Sequence, residues 1–186
     1  MRRRSYLQAV GAAVSAGVAG CGGDDRQPSG PVLSMASSAV PAGATIPSEF
    51  TCDGADVSPP LSFSDVPGSA ASLGVVIDDP DAGDDPFTHW LLWDLPPDVG
   101  SIPRDVARAE TVDALGDAVQ GTNDFGTIGY RGPCPPAADP PHTYRFRAFA
   151  FGERLGLDPG ADAAAFDAAI EGVIVGTGGF LSTYDR

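Results

Sequence analysis

Two short apolar runs frame the middle of the chain. Leu73-Gly74-Val75-Val76-Ile77 leads into a polar stretch, and Trp90-Leu91-Leu92-Trp93 leads out of it. Each is bounded by Pro, Gly and Asp, which predicts two strands joined by a loop. Further on, Thr143 to Phe151 alternates. Tyr144, Phe146, Ala148 and Ala150 take one face, and Arg145, Arg147, Phe149 and Phe151 the other. That is the period of a strand. After Pro159-Gly160 the period lengthens. Asp162 is placed to cap a helix, and Phe166, Ile170 and Ile174 fall at helical spacing, which predicts a helix over 163–175. Gly176, Gly178 and Gly179 are expected to end it, and Phe180 to Tyr184 to add a short closing strand. Val32 to Phe63 is cut by Pro41, Gly43, Pro47, Gly54 and Pro59-Pro60 into short β-rich pieces. Residues 96–128, punctuated by Pro and Gly, are expected to be mostly loop. Many short strands and one late helix suggest a β-sandwich or barrel with a helical appendage.

The first thirty residues follow a different pattern. Arg2-Arg3-Arg4-Ser5-Tyr6-Leu7 is a basic start of twin-arginine type. Ala9 to Ala19 is a short run of small apolar residues, too short to span a bilayer alone. Val18-Ala19-Gly20-Cys21 resembles a lipobox, with Cys21 as the lipidated first residue after cleavage. Residues 22–31 read as a flexible tether. The expected organisation is a lipoprotein signal over 1–21, the tether, and one domain over 32–186. Such a domain would sit on the extracytoplasmic face of the cell membrane, anchored by its lipid after twin-arginine export.

Charge narrows the partners. The net charge is −14 over 186 residues, every basic residue is Arg, and nearly every acid is Asp. Short carboxylates without Lys stems give a strongly hydrated anionic surface, which suggests adaptation to high salt. Nucleic acid is excluded as a partner, since no basic patch meets phosphates. With Cys21 assigned, Cys52 and Cys134 remain, and an even remainder in an exported protein suggests a disulfide.

The polar stretch between the two apolar runs carries the candidate chemistry. Asp78-Asp79-Pro80-Asp81-Ala82-Gly83-Asp84-Asp85-Pro86-Phe87-Thr88-His89 places carboxylates and an imidazole at the end of a sheet. A second stretch, Gly129-Tyr130-Arg131-Gly132-Pro133-Cys134-Pro135-Pro136 followed by His142-Thr143-Tyr144, holds the other of the chain's two histidines. No G-x-S-x-G elbow or other nucleophile phrase is present, so no catalytic residue is assigned and the chain is expected not to be an enzyme. H-E-x-x-H and EF-hand spacings are absent too, and no metal or cofactor is expected.

These phrases, together with Phe50-Thr51-Cys52-Asp53-Gly54 and Ser58-Pro59-Pro60-Leu61, stand in an order and spacing that resembles the phosphatidylethanolamine-binding protein family, in its bacterial and archaeal, Raf kinase inhibitor-like branch. The resemblance covers about residues 33–186. It implies a mainly β fold: a Greek-key β-sandwich of two antiparallel sheets with a C-terminal helix. It also implies a small anion-binding pocket formed by Asp79, His89, Gly132, Pro133, Pro135, Pro136, His142 and Tyr144, and a cis Asp79-Pro80 bond. The chain departs from the pattern in places. Thr143 stands where Arg is usual, with Arg145 and Arg131 as the nearest replacements, and Ala137 to Pro141 make a longer loop that reshapes the pocket rim. The implied ligand is a small anion or a phospholipid headgroup such as phosphoethanolamine. The rival functional class is a protein-interaction module, a kinase or protease inhibitor, with a hydrolase as a weaker rival.

Overall fold

The structure is a computed structural model, and it describes residues 32–186. The signal and tether expected over residues 1–31, with Cys21, lie outside the described residues. Nine strands and one helix follow in order: β1 (Ser34–Ala36), β2 (Leu61–Ser64), β3 (Ser72–Asp79), β4 (Phe87–Leu95), β5 (Ser101–Ile102), β6 (Thr111–Val112), β7 (Ala118–Gln120), β8 (His142–Phe151), α1 (Ala163–Ile170) and β9 (Ile174–Tyr184). They form a six-stranded sheet, β6-β7-β4-β3-β8-β9, and a three-stranded sheet, β1-β2-β5. Every pairing in both sheets is antiparallel. The mainly β fold of two antiparallel sheets with a late helix is therefore as the sequence indicates.

The apolar runs become the two central strands for a physical reason. Strands β3 and β4 are covered on both faces, so they need no polar alternation. On the inner face, Val75, Ile77, Trp90, Leu92, Phe146 and Ala148 pack against Leu33, Met35, Leu61 and Phe63. On the outer face, Val76, Leu91, Trp93, Phe149 and Phe151 pack under Phe166 and Ile170 of α1. The alternation read for β8 assigns its faces correctly. Arg145 and Arg147 stay outside and share the buried carboxylate of Asp78.

The C-terminal elements differ from expectation. Asp162 caps α1 as predicted, its side chain accepting from the Ala165 N–H at 2.9 Å. The helix, however, ends at Ile170 rather than 175, and Ile174 opens a strand of eleven residues. Gly178 and Gly179 are not helix breakers. They let β9 run against neighbouring main chain, since a Cβ at Gly178 would overlap the Leu33 carbonyl and one at Gly179 the Phe146 carbonyl. Residues 96–128 contain β5, β6 and β7, each of two or three residues. Such strands are too short to show a period.

Asp richness has a structural use as well as an electrostatic one. Asp56, Asp65, Asp94, Asp105 and Asp117 all take left-handed backbone, and among the described residues no other non-glycine residue does. A short side chain that bonds its own backbone makes that conformation accessible. Cys52 and Cys134 form a disulfide across 82 residues. Closing a loop of that length stabilises the fold by about 4–5 kcal/mol on the chain-entropy account.

Candidate functional site

At one end of the large sheet, β3 stops at Asp79, β4 begins at Phe87 and β8 begins at His142. Pleat alternation separates the two aspartates that end β3. Asp78 turns to the outer face and its arginines, while Asp79 turns to a cavity of about 240 Å³. His89 and Tyr144 also line that cavity, along with His142. Its wall is completed by Cys134, Pro135 and Pro136, and its rim by Asp81, Ala82, Phe87, Phe125 and Asp139. Gly132 and Pro133 do not line it. They brace the strap through main-chain bonds to Asp56 and Cys52, with Gly132 main chain also acting on the His89 ring, which corrects the lining place given them by the resemblance.

The wall is a strap, residues 129–136, fastened at several points. Tyr130 Oη donates to the Phe50 carbonyl at 2.6 Å, and Gly132 N–H to Asp56 Oδ1 at 2.7 Å. Cys52 N–H donates to the Pro133 carbonyl at 3.0 Å, beside the Cys52–Cys134 bond. The strap also grips His89 twice. Arg131 N–H donates to the His89 carbonyl at 3.0 Å, and His89 Nδ1 lies 2.8 Å from the Arg131 carbonyl.

The two histidines are held in opposite ways. His89 is buried and ringed edge-on by Phe87, Phe125 and Tyr144. Burial lowers its pKa, against the partial support of the Arg131 carbonyl and the Asp79 charge. The neutral tautomer that satisfies Arg131 carries its proton on Nδ1, which leaves Nε2 as an acceptor for the cavity. His142 sits between carboxylates: Nδ1 is 2.7 Å from Asp79 Oδ2 and Nε2 is 3.6 Å from Asp139 Oδ2. Burial pulls its pKa down, but the two carboxylates outweigh burial and the net direction is up. Tyr144 is fully buried, and its hydroxyl makes no hydrogen bond of ordinary geometry, although the Asp79 carboxylate is close enough to act on it. Burial, and after it the Asp79 charge, push the phenol's pKa up, so it stays protonated and serves as a donor.

The acidic loop is ordered by its own aspartates. Asp79 Oδ1 accepts from the Asp81 N–H at 2.8 Å, and Asp81 Oδ2 from the Thr143 N–H at 2.7 Å. Neither expected replacement for the missing arginine reaches the cavity. Arg145 is bound to Asp78 on the opposite face of the sheet. Arg131 pairs with Asp56 at 2.8 Å, lies over the Phe125 ring at 5.2 Å from its centroid, and is not among the residues lining the cavity. Every arginine among the described residues is committed to a carboxylate in this way. The Asp79–Pro80 bond is trans, not cis as the resemblance implies. Among the described residues no group of three or more His, Cys, Asp or Glu is disposed to hold a metal ion. A larger groove, about 610 Å³, runs beside Val32–Met35 and β9, but Arg147 is its one charged side chain and is tied to Asp78. Convergent polar groups are found in the smaller cavity.

Sequence reasoning missed Ala82, Phe87, Phe125 and Asp139 as lining residues. Ala82, Phe87 and Asp139 had a signal, since they lie in or beside the stretches already singled out. Phe125 lies in a segment read as loop and had none.

Comparison with known proteins bears on the family and the fold. The family model for phosphatidylethanolamine-binding protein matches residues 36–185. The chain is 40% identical over 141 residues to the UPF0098 protein PH1269 of Pyrococcus horikoshii, covering 76% of this chain and 71% of that one. It is 35% identical over 202 aligned residues to LppC of Mycobacterium tuberculosis, a candidate lipoprotein by name, covering 98% of this chain and 96% of that one. Among solved structures, Escherichia coli YbcL, described as a member of the mammalian PEBP family, superposes with a TM-score of 0.76 at 29% identity, covering 83% of this chain and 98% of that one. The PEBP homologue CT736 of Chlamydia trachomatis gives a TM-score of 0.75 at 35% identity, covering 84% and 99%.

Proposed function

The chain belongs to the phosphatidylethanolamine-binding protein family, and on that premise we propose that it is a non-enzymatic, membrane-tethered extracytoplasmic domain that binds a small phosphate-bearing ligand of phospholipid-headgroup type. The observation that carries this reading is the buried Tyr144 hydroxyl, which has Asp79 nearby but makes no hydrogen bond of ordinary geometry, in a residue that lines the cavity shared by both histidines. A buried donor left unpaired is costly, and a ligand oxygen would complete it. The cavity is smaller than the roughly 300–1,000 Å³ of sites for drug-sized ligands, which suits a headgroup and not a whole lipid. In the bound state the ligand's phosphate oxygens accept from Tyr144 Oη and His142 Nε2, and a P–OH proton is accepted by His89 Nε2. The tether is supported by the lipobox at Cys21 and by the name of the Mycobacterium relative.

The test is calorimetric titration of phosphoethanolamine into the wild type and into His89→Ala, His142→Ala and Tyr144→Phe. Tyr144→Phe removes one donor and keeps the ring. A hydrogen bond to a charged partner is worth about 1.5–3 kcal/mol, so affinity should fall roughly 10- to 100-fold while the circular dichroism spectrum is unchanged. Unchanged affinity across the three variants would sink the reading.

A further inference from the structure

The cavity contains three carboxylates and no arginine, which is an odd lining for a site meant only for anions. Asp79 and Asp81 are explained by their hydrogen bonds, to His142 and to main-chain N–H groups. Asp139 is different. It belongs to the long loop 137–141, its side chain is 45% exposed, and it has no hydrogen-bond acceptor role in the fold. Its main chain is nonetheless fixed. Asp139 N–H donates to the Pro136 carbonyl at 3.0 Å, and Pro140-Pro141 follow at once, which restricts the backbone leading to His142. The carboxylate is thereby kept 3.6 Å from His142 Nε2, the nitrogen that faces away from Asp79. That separation is an ion pair without a closed hydrogen bond, so Nε2 keeps room for another acceptor.

We infer that Asp139 sets the ligand specificity of this cavity: it stands where an incoming anion must approach His142 and so favours ligands that carry an ammonium group beside their phosphate over bare anions. This rests on the headgroup reading above. The physical basis is repulsion as much as attraction. A phosphate that approaches Nε2 alone meets Asp139 in front and Asp79 and Asp81 behind, with no arginine to offset them. A phosphate linked to an ammonium brings its own counter-charge, and Asp139 changes from competitor to partner. The other groups that face His142 are His89 on β4 and the Tyr144 hydroxyl on β8, and neither supplies a fixed positive charge.

The experiment is a pair of calorimetric titrations, inorganic phosphate and phosphoethanolamine, on the wild type and Asp139→Asn at pH 7 and low salt, where screening is weak. The wild type should prefer phosphoethanolamine. In Asp139→Asn, phosphate affinity should rise and phosphoethanolamine affinity fall, each by about two- to fivefold, the range expected for a half-exposed charge pair. Both ligands bound with an unchanged ratio would overturn the role of Asp139 and leave the headgroup reading standing. Neither ligand bound by either protein would overturn the headgroup reading and the specificity role with it. Imidazole NMR gives a second readout without ligand: the His142 titration midpoint should drop in Asp139→Asn, and an unmoved midpoint overturns the pairing.

Discussion

Gly132→Ala tests how the cavity wall is built. A Cβ there would lie 2.7 Å from Thr51 Cα and 2.9 Å from the Phe50 carbonyl carbon, and closer still to the Phe50 oxygen. Ordinary contact begins at 3.4 Å, so the two segments must part by several tenths of an ångström or more. No side chain can rotate aside, because all three neighbours are main chain. That main chain is pinned by the Cys52–Cys134 bond and by Tyr130 Oη on the Phe50 carbonyl. Overpacking of this kind costs about 1–3 kcal/mol. Separation also stretches the Gly132 N–H bond to Asp56 and the Cys52 N–H bond to Pro133, each worth about 1 kcal/mol. A total of about 3–5 kcal/mol lowers the melting temperature by roughly 6–20 °C for a chain of this size. Ligand affinity should fall too, since the strap carries the Arg131 carbonyl that orients His89. Gly68→Ala is the control: its added Cβ meets nothing within 4 Å, and its effect should stay within about 0.5 kcal/mol. The assay is thermal unfolding followed by circular dichroism, both variants in one buffer. Equal melting temperatures for the two variants would refute the reasoning.

Two further outcomes follow from the same structure. The folded pKa of His89 lies below the ordinary 6.5, so the stability it contributes is lost as pH falls below that value. The folded pKa of His142 lies above 6.5, so its contribution is full below 6.5 and is lost as pH rises through the folded value. The histidines together therefore give a stability maximum near pH 6.5, and His142→Asn should remove the alkaline-side loss while keeping the acid-side one. Urea midpoints across this range check it, and an unchanged alkaline slope in the variant contradicts the assignment. For the tether, Cys21→Ser should release the protein from the membrane fraction, and a variant that stays wholly membrane-bound by fractionation contradicts lipid anchoring.

What was legible in the sequence was set by the range of the interaction. Strands β3, β4 and β8 announce themselves because burial on one or both faces writes a pattern over eight or more residues. Pairs such as β6 and β7 leave no such trace, being held by a few main-chain bonds to partners supplied by the rest of the fold. The helix ends earlier than its spacing predicts because Ile174 keeps the helical spacing while Gly172, at φ +79°, has already turned the chain. Gly178 and Gly179 looked like breakers because their real neighbours, Leu33 and Phe146, are far away in sequence. Likewise the two histidines could be grouped from their motifs, but the surroundings that decide their charge and tautomer, burial and the Arg131 carbonyl for His89, Asp79 and then Asp139 for His142, are known only from the fold.

Those partners change what the cavity asks of a ligand. Read as motifs, two imidazoles and a phenol are three donors, and three donors fit an anion. In the folded chain His89 spends its proton on Arg131 and offers an acceptor, while His142 and Tyr144 remain donors. Thr143 brings no guanidinium where one is usual, and Arg145 is taken by Asp78 on the far face. Asp81 and Asp139 add further acceptors at the rim. A ligand that mirrors this balance needs acceptor oxygens at one end and donating N–H groups at the other. Under the proposed function phosphoethanolamine meets that demand and phosphate alone does not, so the ratio of their affinities, more than either affinity by itself, measures what the cavity is built to recognise.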